Sequence, residues 1–314
     1  MIDITLKNFE SELINASIQT PVLLDIWAPW CGPCKALGPL LEKLEVAYAG
    51  RFALAKLDSD AEPDIAAQLS QAFGVRSIPF CVMFVGGQPV DGFVGALPEA
   101  QIRAFLDKHV PSVDAVAAEE EVEEAEQLAA EGDSEAALGK LADALALTPG
   151  DDAIRADYVK RLLEAGRVAD ARAAYAPLVP KAIVEARASA LGQWLAACEA
   201  AALARPPEAL RAAIASDRRD FAARFELAQV HASEQRFTEA MDELLEILMR
   251  DKTWAEQSAR KLYVALLELM SKPPPKAAAA EAKGTLEVAG RAIVTAGDPV
   301  VDGYRRKLSM VLLS

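Results

Sequence analysis

The chain has 314 residues, more than one ordinary core organises, so two or three domains are expected. Hydrophobic residues make up 52% of it, which excludes disorder by composition. A net charge of −14 argues against nucleic acid and anionic membranes as main partners, because both require clustered Lys and Arg.

Val22 to Ala28 is an apolar run rich in β-formers, interrupted only by Asp25, and predicts a buried strand. Leu37, Leu40, Leu41 and Leu44 then recur at helical spacing. Phe52 to Asp58 reads as a strand and Pro63 to Phe73 as a helix. Phe80 to Val85 and Pro89 to Val94 predict a hairpin that turns at Gly86-Gly87-Gln88, and Pro98 to His109 predicts a closing helix. This alternation predicts an α/β domain over residues 1–110, with a mostly parallel sheet, helices on both faces and antiparallel strands at one edge.

Composition shifts at Pro111. Residues 111–118 read as a linker, and residues 119–314 as helices only. Gly132 and Gly166 lie 34 residues apart, the tetratricopeptide period. Gly132 is followed by Ala137, Leu141 and Ala144, and Gly166 by Ala171, Tyr175 and Leu178. A third copy fits Gln235, Ala240, Leu244 and Ile247, with a degenerate copy over 182–218 interrupted by Pro206-Pro207. The glycines are expected in the turns between paired helices, where a positive φ is needed. An all-α tetratricopeptide-type helical repeat domain follows the first domain on this reading. Trp254 to Met270 adds a helix, Pro273-Pro274-Pro275 breaks the pattern, and helices resume over 277–296 and 298–313.

Four cysteines (Cys31, Cys34, Cys81 and Cys198) are too few for a secreted disulfide framework. The N-terminal residues lack a basic stretch followed by an apolar one, and no apolar run reaches a membrane span. The expected location is cytoplasmic.

Trp30-Cys31-Gly32-Pro33-Cys34-Lys35 follows a buried strand and opens a helix. At a helix N-terminus the exposed N–H groups and the dipole favour a thiolate at Cys31. Cys31 is expected to attack a substrate disulfide, with Cys34 resolving the mixed disulfide. Gly32 keeps the approach open and Pro33 sets the loop geometry. A zinc site is the competing reading. It needs four ligands, and Cys81, Cys198, His109 and His231 form no second pair, so no metal is expected. A domain of the same shape with inert cysteines is the other alternative. Asp25 lies mid-strand, where burial raises a carboxyl pKa, and it is able to take the Cys34 proton. Lys56 on the next strand is its expected charge partner. A proline after Ile78 and before a strand predicts a cis bond at Pro79, leaving the Ile78 backbone able to pair with an extended substrate. Cys81 and Cys198 read as packing residues, and His109 and His231 receive no role.

Val22 to Lys35 resembles the active-site strand and loop of thioredoxin. Ser77-Ile78-Pro79 and Gly92-Phe93-Val94-Gly95-Ala96 resemble its cis-proline and late-strand motifs. The resemblance implies a thioredoxin fold, an active protein disulfide reductase served by thioredoxin reductase, and no cofactor. It makes Asp25, Lys56 and Pro79 the buried acid, its lysine partner and the cis-proline. Trp30, Gly32, Pro33, Ile78, Pro79 and Gly95 then form the substrate groove. The whole chain resembles the chaperedoxin family, a thioredoxin domain fused to tetratricopeptide repeats. Ala55 to Asp60, Gly87 to Phe93 and Tyr304 to Leu313 carry that closer likeness. It implies a co-chaperone holdase that binds unfolded, cysteine-containing clients, protects their thiols under oxidative stress and delivers them to a GroEL-type chaperonin. Tyr304, Arg305, Arg306, Leu308, Val311, Leu312 and Leu313 become the chaperonin contact, the other reading being a helix that caps the last repeat. Ser59 stands where some of that family carry a lone cysteine, so client disulfides have to run through Cys31. Two further functions compete: a redox-inactive adaptor, and a plain thioredoxin directed to one partner by its repeats.

Overall fold

A computed structural model describes residues 2–271 and 298–313. The Pro273-Pro275 break and the helix expected over 277–296 lie outside the described residues. The chain divides into two units near Val113.

The first unit is built on a five-stranded sheet in the order β1-β3-β2-β4-β5. The strands are β1 (Ile2–Asp3), β2 (Val22–Trp27), β3 (Ala53–Asp58), β4 (Phe80–Val85) and β5 (Gln88–Val94). The helices are α1 (Ala16–Gln19), α2 (Gly32–Ala47), α3 (Pro63–Phe73) and α4 (Glu99–His109), with a π-helical segment over Phe9–Asn15. Successive side chains on a strand face opposite sides. Leu23, Leu54 and Met83 accordingly pack with Leu37, Leu41, Ile102 and Leu106 on one face of the sheet. Leu24, Leu57 and Phe84 pack with Ile65 and Leu69 on the other.

The sheet is not mostly parallel. β1 and β2 run parallel to β3, but β4 runs antiparallel to both β2 and β5. The chain leaves α3 at Gly74 and crosses Val75–Pro79 before β4 starts, with Phe80 opposite Ile26 near the end of β2. Alternation of strand and helix does not reveal at which end a strand is re-entered. The first 21 residues carried no predicted element, because a two-residue strand is too short to show a period.

The second unit is helical: α5 (Val113–Glu131), α6 (Ser134–Leu147), α7 (Asp152–Glu164), α8 (Val168–Tyr175), α9 (Ala186–Ala201), α10 (Pro207–Ser216), α11 (Phe221–Ser233), α12 (Phe237–Leu248), α13 (Trp254–Met270) and α14 (Pro299–Leu313). A 3-10 segment spans Ala176–Lys181. Residues 113–118, expected as linker, are the first turns of α5, as their Ala- and Glu-rich sequence favours. Gly132 and Gly166 occupy the α5–α6 and α7–α8 turns with φ of 90° and 72°. Gln235 takes the same left-handed conformation, φ 60°, between α11 and α12. Pro206 and Pro207 stand between α9 and α10, where they cap and begin α10 and a missing N–H costs nothing.

Trp194 on α9 lies at the centre of this unit, fully buried, with its Nε1 donating to the Ala232 carbonyl at 2.9 Å. The last helix closes the array. Val301, Tyr304 and Leu308 of α14 are buried in the same core as Leu244 of α12 and Leu262 of α13. Among the described residues no helix is long and apolar enough to cross a membrane.

Candidate active site

Strand β2 ends at Trp27, and the chain turns so that Cys31 becomes the N-cap of α2, its N–H donating to the Ala28 carbonyl at 3.0 Å. Cys31 has extended backbone, and its Sγ accepts from the Cys34 N–H at 3.2 Å. Pro33 sits in the first turn, the position a helix tolerates best. Cys31 and Cys34 are joined as a disulfide, with Cα atoms 5.3 Å apart. Both are only 3% exposed, packed with Ala28 and against Trp27 and Ile78. A Cβ on Gly32, between the two cysteines, would meet nothing within 4 Å.

The other residues expected in a substrate groove come from the loops around this turn. Trp30 is exposed, and its Nε1 donates to Asp60 Oδ2 at 2.9 Å. The Ile78–Pro79 bond is cis. The Gly95 N–H donates to the Pro79 carbonyl at 2.8 Å, which ties the end of β5 to the proline. Gly95 has φ +87°, a conformation that favours glycine. Ser59 donates from both its N–H and its Oγ to the Trp27 carbonyl, at 2.9 and 3.0 Å.

Asp25 is buried, 1% exposed, on the sheet face covered by α2. It is in register with Lys56 on β3 and with Cys81 on β4. Burial pushes its carboxyl up to about 6, against the smaller opposing effects of the Cys81 hydrogen bond and the Lys56 charge. Cys81 Sγ donates to Asp25 Oδ1 at 3.7 Å. Burial, reinforced by the Asp25 charge, holds the Cys81 thiol well above its ordinary range, so it stays protonated. The expected Asp25–Lys56 pair is not a direct one. Lys56 Nζ is bonded to Glu42 Oε1 of α2 at 2.6 Å. Lys56 also lies beneath Gly38, one turn along α2 from Cys34, where a Cβ would stand 3.5 Å from its Nζ.

Cys81 packs in the core as expected, and it also faces Asp25, because the strand that pairs with β2 puts one of its residues opposite that carboxyl. Sequence reasoning did not anticipate Glu42 at this site. Glu42 lies at i+4 from Gly38 and so shares its face, a signal visible only once α2 is known to pack on β3. Cys198 is a packing residue on α9, its thiol pushed up to about 11 by burial first and by Glu199 second.

Of the terminal-helix residues, Tyr304 and Leu308 are buried in the array and Val311 and Leu312 pack partly against it. The Tyr304 hydroxyl donates to Asp242 Oδ1 at 3.0 Å, and Lys307 Nζ lies 4.1 Å from the Tyr304 ring centre. Arg305, Arg306 and Leu313 are exposed, and so is Met310, which the sequence reading passed over.

Comparison with known proteins agrees with both halves of this geometry. The thioredoxin family model matches residues 1–108, and two tetratricopeptide repeat models match residues 128–195 and 200–283. Thioredoxin 1 of Nostoc sp. is 38% identical over 107 residues, which is 34% of this chain and 94% of that protein. Thioredoxin of Chlorobaculum thiosulfatiphilum is 44% identical over 104 residues, 33% of this chain and 91% of that one. Thioredoxin of Haemophilus influenzae is 44% identical over 103 residues, again 33% and 91%. An intact Cys31–Cys34 pair on this scaffold makes the first unit a thiol-disulfide oxidoreductase, and the chain belongs to the thioredoxin family, with tetratricopeptide repeats following its thioredoxin domain.

Proposed function

We propose that the chain is a protein disulfide reductase coupled to a co-chaperone, which holds unfolded clients, protects their cysteines by reducing their disulfides and delivers them to a GroEL-type chaperonin in the cytoplasm. The observation that carries this reading is the fusion of an intact Cys31–Cys34 pair with a repeat array whose last helix keeps Arg306, Met310 and Leu313 exposed. Stacked helical repeats offer extended surfaces to polypeptides.

The chemistry follows from the reduced pair. The Cys31 thiolate attacks one sulfur of a client disulfide; the new Cys31–client bond forms and the other client sulfur leaves as a thiolate. Cys34 gives its proton to Asp25, and the Cys34 thiolate attacks Cys31 Sγ. The Cys31–Cys34 bond forms and the second client sulfur departs. The client gains two electrons and the protein loses two, which thioredoxin reductase restores. The helix N-terminus stabilises the Cys31 thiolate through its N–H groups, among them the Cys34 N–H that already bonds Cys31 Sγ. Trp30, Gly32, Pro33, Ile78, Pro79 and Gly95 form the groove for the client segment.

The test uses the full chain. Insulin reduction with thioredoxin reductase and suppression of aggregation of an unrelated unfolded client are both expected. A variant carrying Arg306→Glu, Met310→Glu and Leu313→Glu keeps the inner face of α14 and is expected to reduce insulin normally while losing co-elution with the chaperonin. Retained co-elution removes α14 from the delivery step, and a failure to suppress aggregation removes the holdase role.

A further inference from the structure

A buried carboxylate needs a hydrogen-bond donor, and among the described residues the donor that reaches Asp25 is a thiol. Cys81 Sγ lies 3.7 Å from Asp25 Oδ1, across the β2–β4 ladder, and Cys81 is wholly buried. Few charged groups compete for that position. On β3, Lys56 is held by Glu42 of α2, and Asp58 accepts from the backbone N–H of Asp60 at 2.9 Å. The α4 helix packs on this face through Ile102, Phe105 and Leu106, all apolar. The disulfide at the head of α2 carries no charge.

We propose that Cys81 is a positioning residue for disulfide exchange: its S–H donates to Asp25 and sets the pH at which that carboxylate is free to take the Cys34 proton. The inference rests on the reading of Asp25 as proton acceptor. Cys81 suits the task because its own environment keeps it from ionising. A thiolate beside Asp25 would repel it, whereas a neutral S–H has a donor to give and no charge to add. Thiols are weak donors, so Cys81 trims the rise caused by burial without cancelling it. The carboxyl thereby titrates at about 6, within reach of a neutral pH, where its ionised form is abundant enough to accept a proton. An apolar side chain at position 81 would leave Asp25 Oδ1 without this donor, and a serine would supply a stronger one.

The test compares the oxidised and reduced full-length protein with its Cys81→Val, Cys81→Ser and Asp25→Asn variants. Asp25 is titrated directly by carboxyl carbon NMR, and single-turnover insulin reduction is followed across the same pH range. In Cys81→Val the Asp25 midpoint is expected to rise by about half a pH unit, the size of a weak buried hydrogen bond. The acid limb of the rate should rise with it. Cys81→Ser should titrate at or below the wild type, which a purely structural role for Cys81 would not produce. Native-like spectra verify that each variant is folded, and Cys81→Ala serves if the valine is not accommodated. An unchanged midpoint in Cys81→Val, or a rise in Cys81→Ser equal to that of the valine, overturns the proposal while leaving the Asp25 reading intact. An Asp25→Asn protein that keeps the wild-type acid limb overturns the Asp25 reading, and the proposal with it.

Discussion

Lys56 Nζ lies 2.6 Å from Glu42 Oε1, so the cation beside Asp25 already has a carboxylate of its own. Glu42 is half-exposed, whereas Asp25 must ionise out of water. Lys56 is bonded to the half-exposed acid, and the buried one bears a desolvation that the lysine charge only partly offsets.

That imbalance has a stability signature. The Asp25 carboxyl is raised in the folded protein from an ordinary 3.8 to about 6. A raised carboxyl favours folding fully only below the unfolded value, and its contribution is lost as pH rises through about 6. Asp25→Asn removes the ionisation. Relative to the wild type, the variant should gain about 3 kcal/mol between pH 3.5 and pH 7.5. Urea unfolding of both oxidised proteins across that range measures the difference. A gap that stays constant with pH would show that Asp25 is not the group responsible.

Glu42→Gln gives a second handle on the same site. With Glu42 neutral, the Lys56 charge acts on Asp25 alone and a nearby negative charge is gone, so the Asp25 midpoint should fall by about half a unit. Carboxyl NMR of the full chain reads it directly. A midpoint that rises would mean that Glu42 serves chiefly to hold Lys56 in place.

Much of this arrangement is legible in the sequence. Helix α3 runs over Pro63–Phe73 as expected, because a proline opens it and Gly74, with φ +66°, ends it. Strand β4 also spans Phe80–Val85 as expected, since its apolar run is bounded by a proline and two glycines. The cysteine pair announced itself through its strand-then-helix context. The sense of β4 did not, because local pattern says nothing about which end of the sheet the chain returns to. That sense determines who faces Asp25. With β4 antiparallel, the pairing puts Cys81 across from it and turns an apparent packing residue into a donor. The partner of Lys56 was equally hidden, because choosing between two carboxylates requires distances that periodicity does not supply. On α14 the apolar spacing was visible, but whether Tyr304 and Leu308 face a partner or their own array is decided by what α12 and α13 leave uncovered.

The roles of the two cysteines separate cleanly by substitution. Cys34→Ser should accumulate mixed disulfides through Cys31, because attack proceeds and resolution does not. Cys31→Ser should trap none. Non-reducing gels with an oxidised client read both. Adducts formed by Cys31→Ser and absent from Cys34→Ser would reverse the order of attack.

The repeat turns predict opposite effects for exchanges at equivalent positions. Gly166 has φ 72° and a Cβ there would meet no neighbour, so Gly166→Ala is penalised by backbone conformation alone. It should cost about 1 kcal/mol. Gln235 holds the same left-handed geometry, φ 60°, with a side chain in place. Its Nε2 donates to the Glu164 carbonyl at 2.9 Å, an exposed bond that offsets part of the strain. Gln235→Gly releases the strain and loses that bond, so it should be neutral or stabilising by up to about 1 kcal/mol. Thermal unfolding of the two variants beside the wild type decides it. A Gln235→Gly variant destabilised as much as Gly166→Ala would mean that the bond to Glu164 outweighs the left-handed backbone strain in the α11–α12 turn.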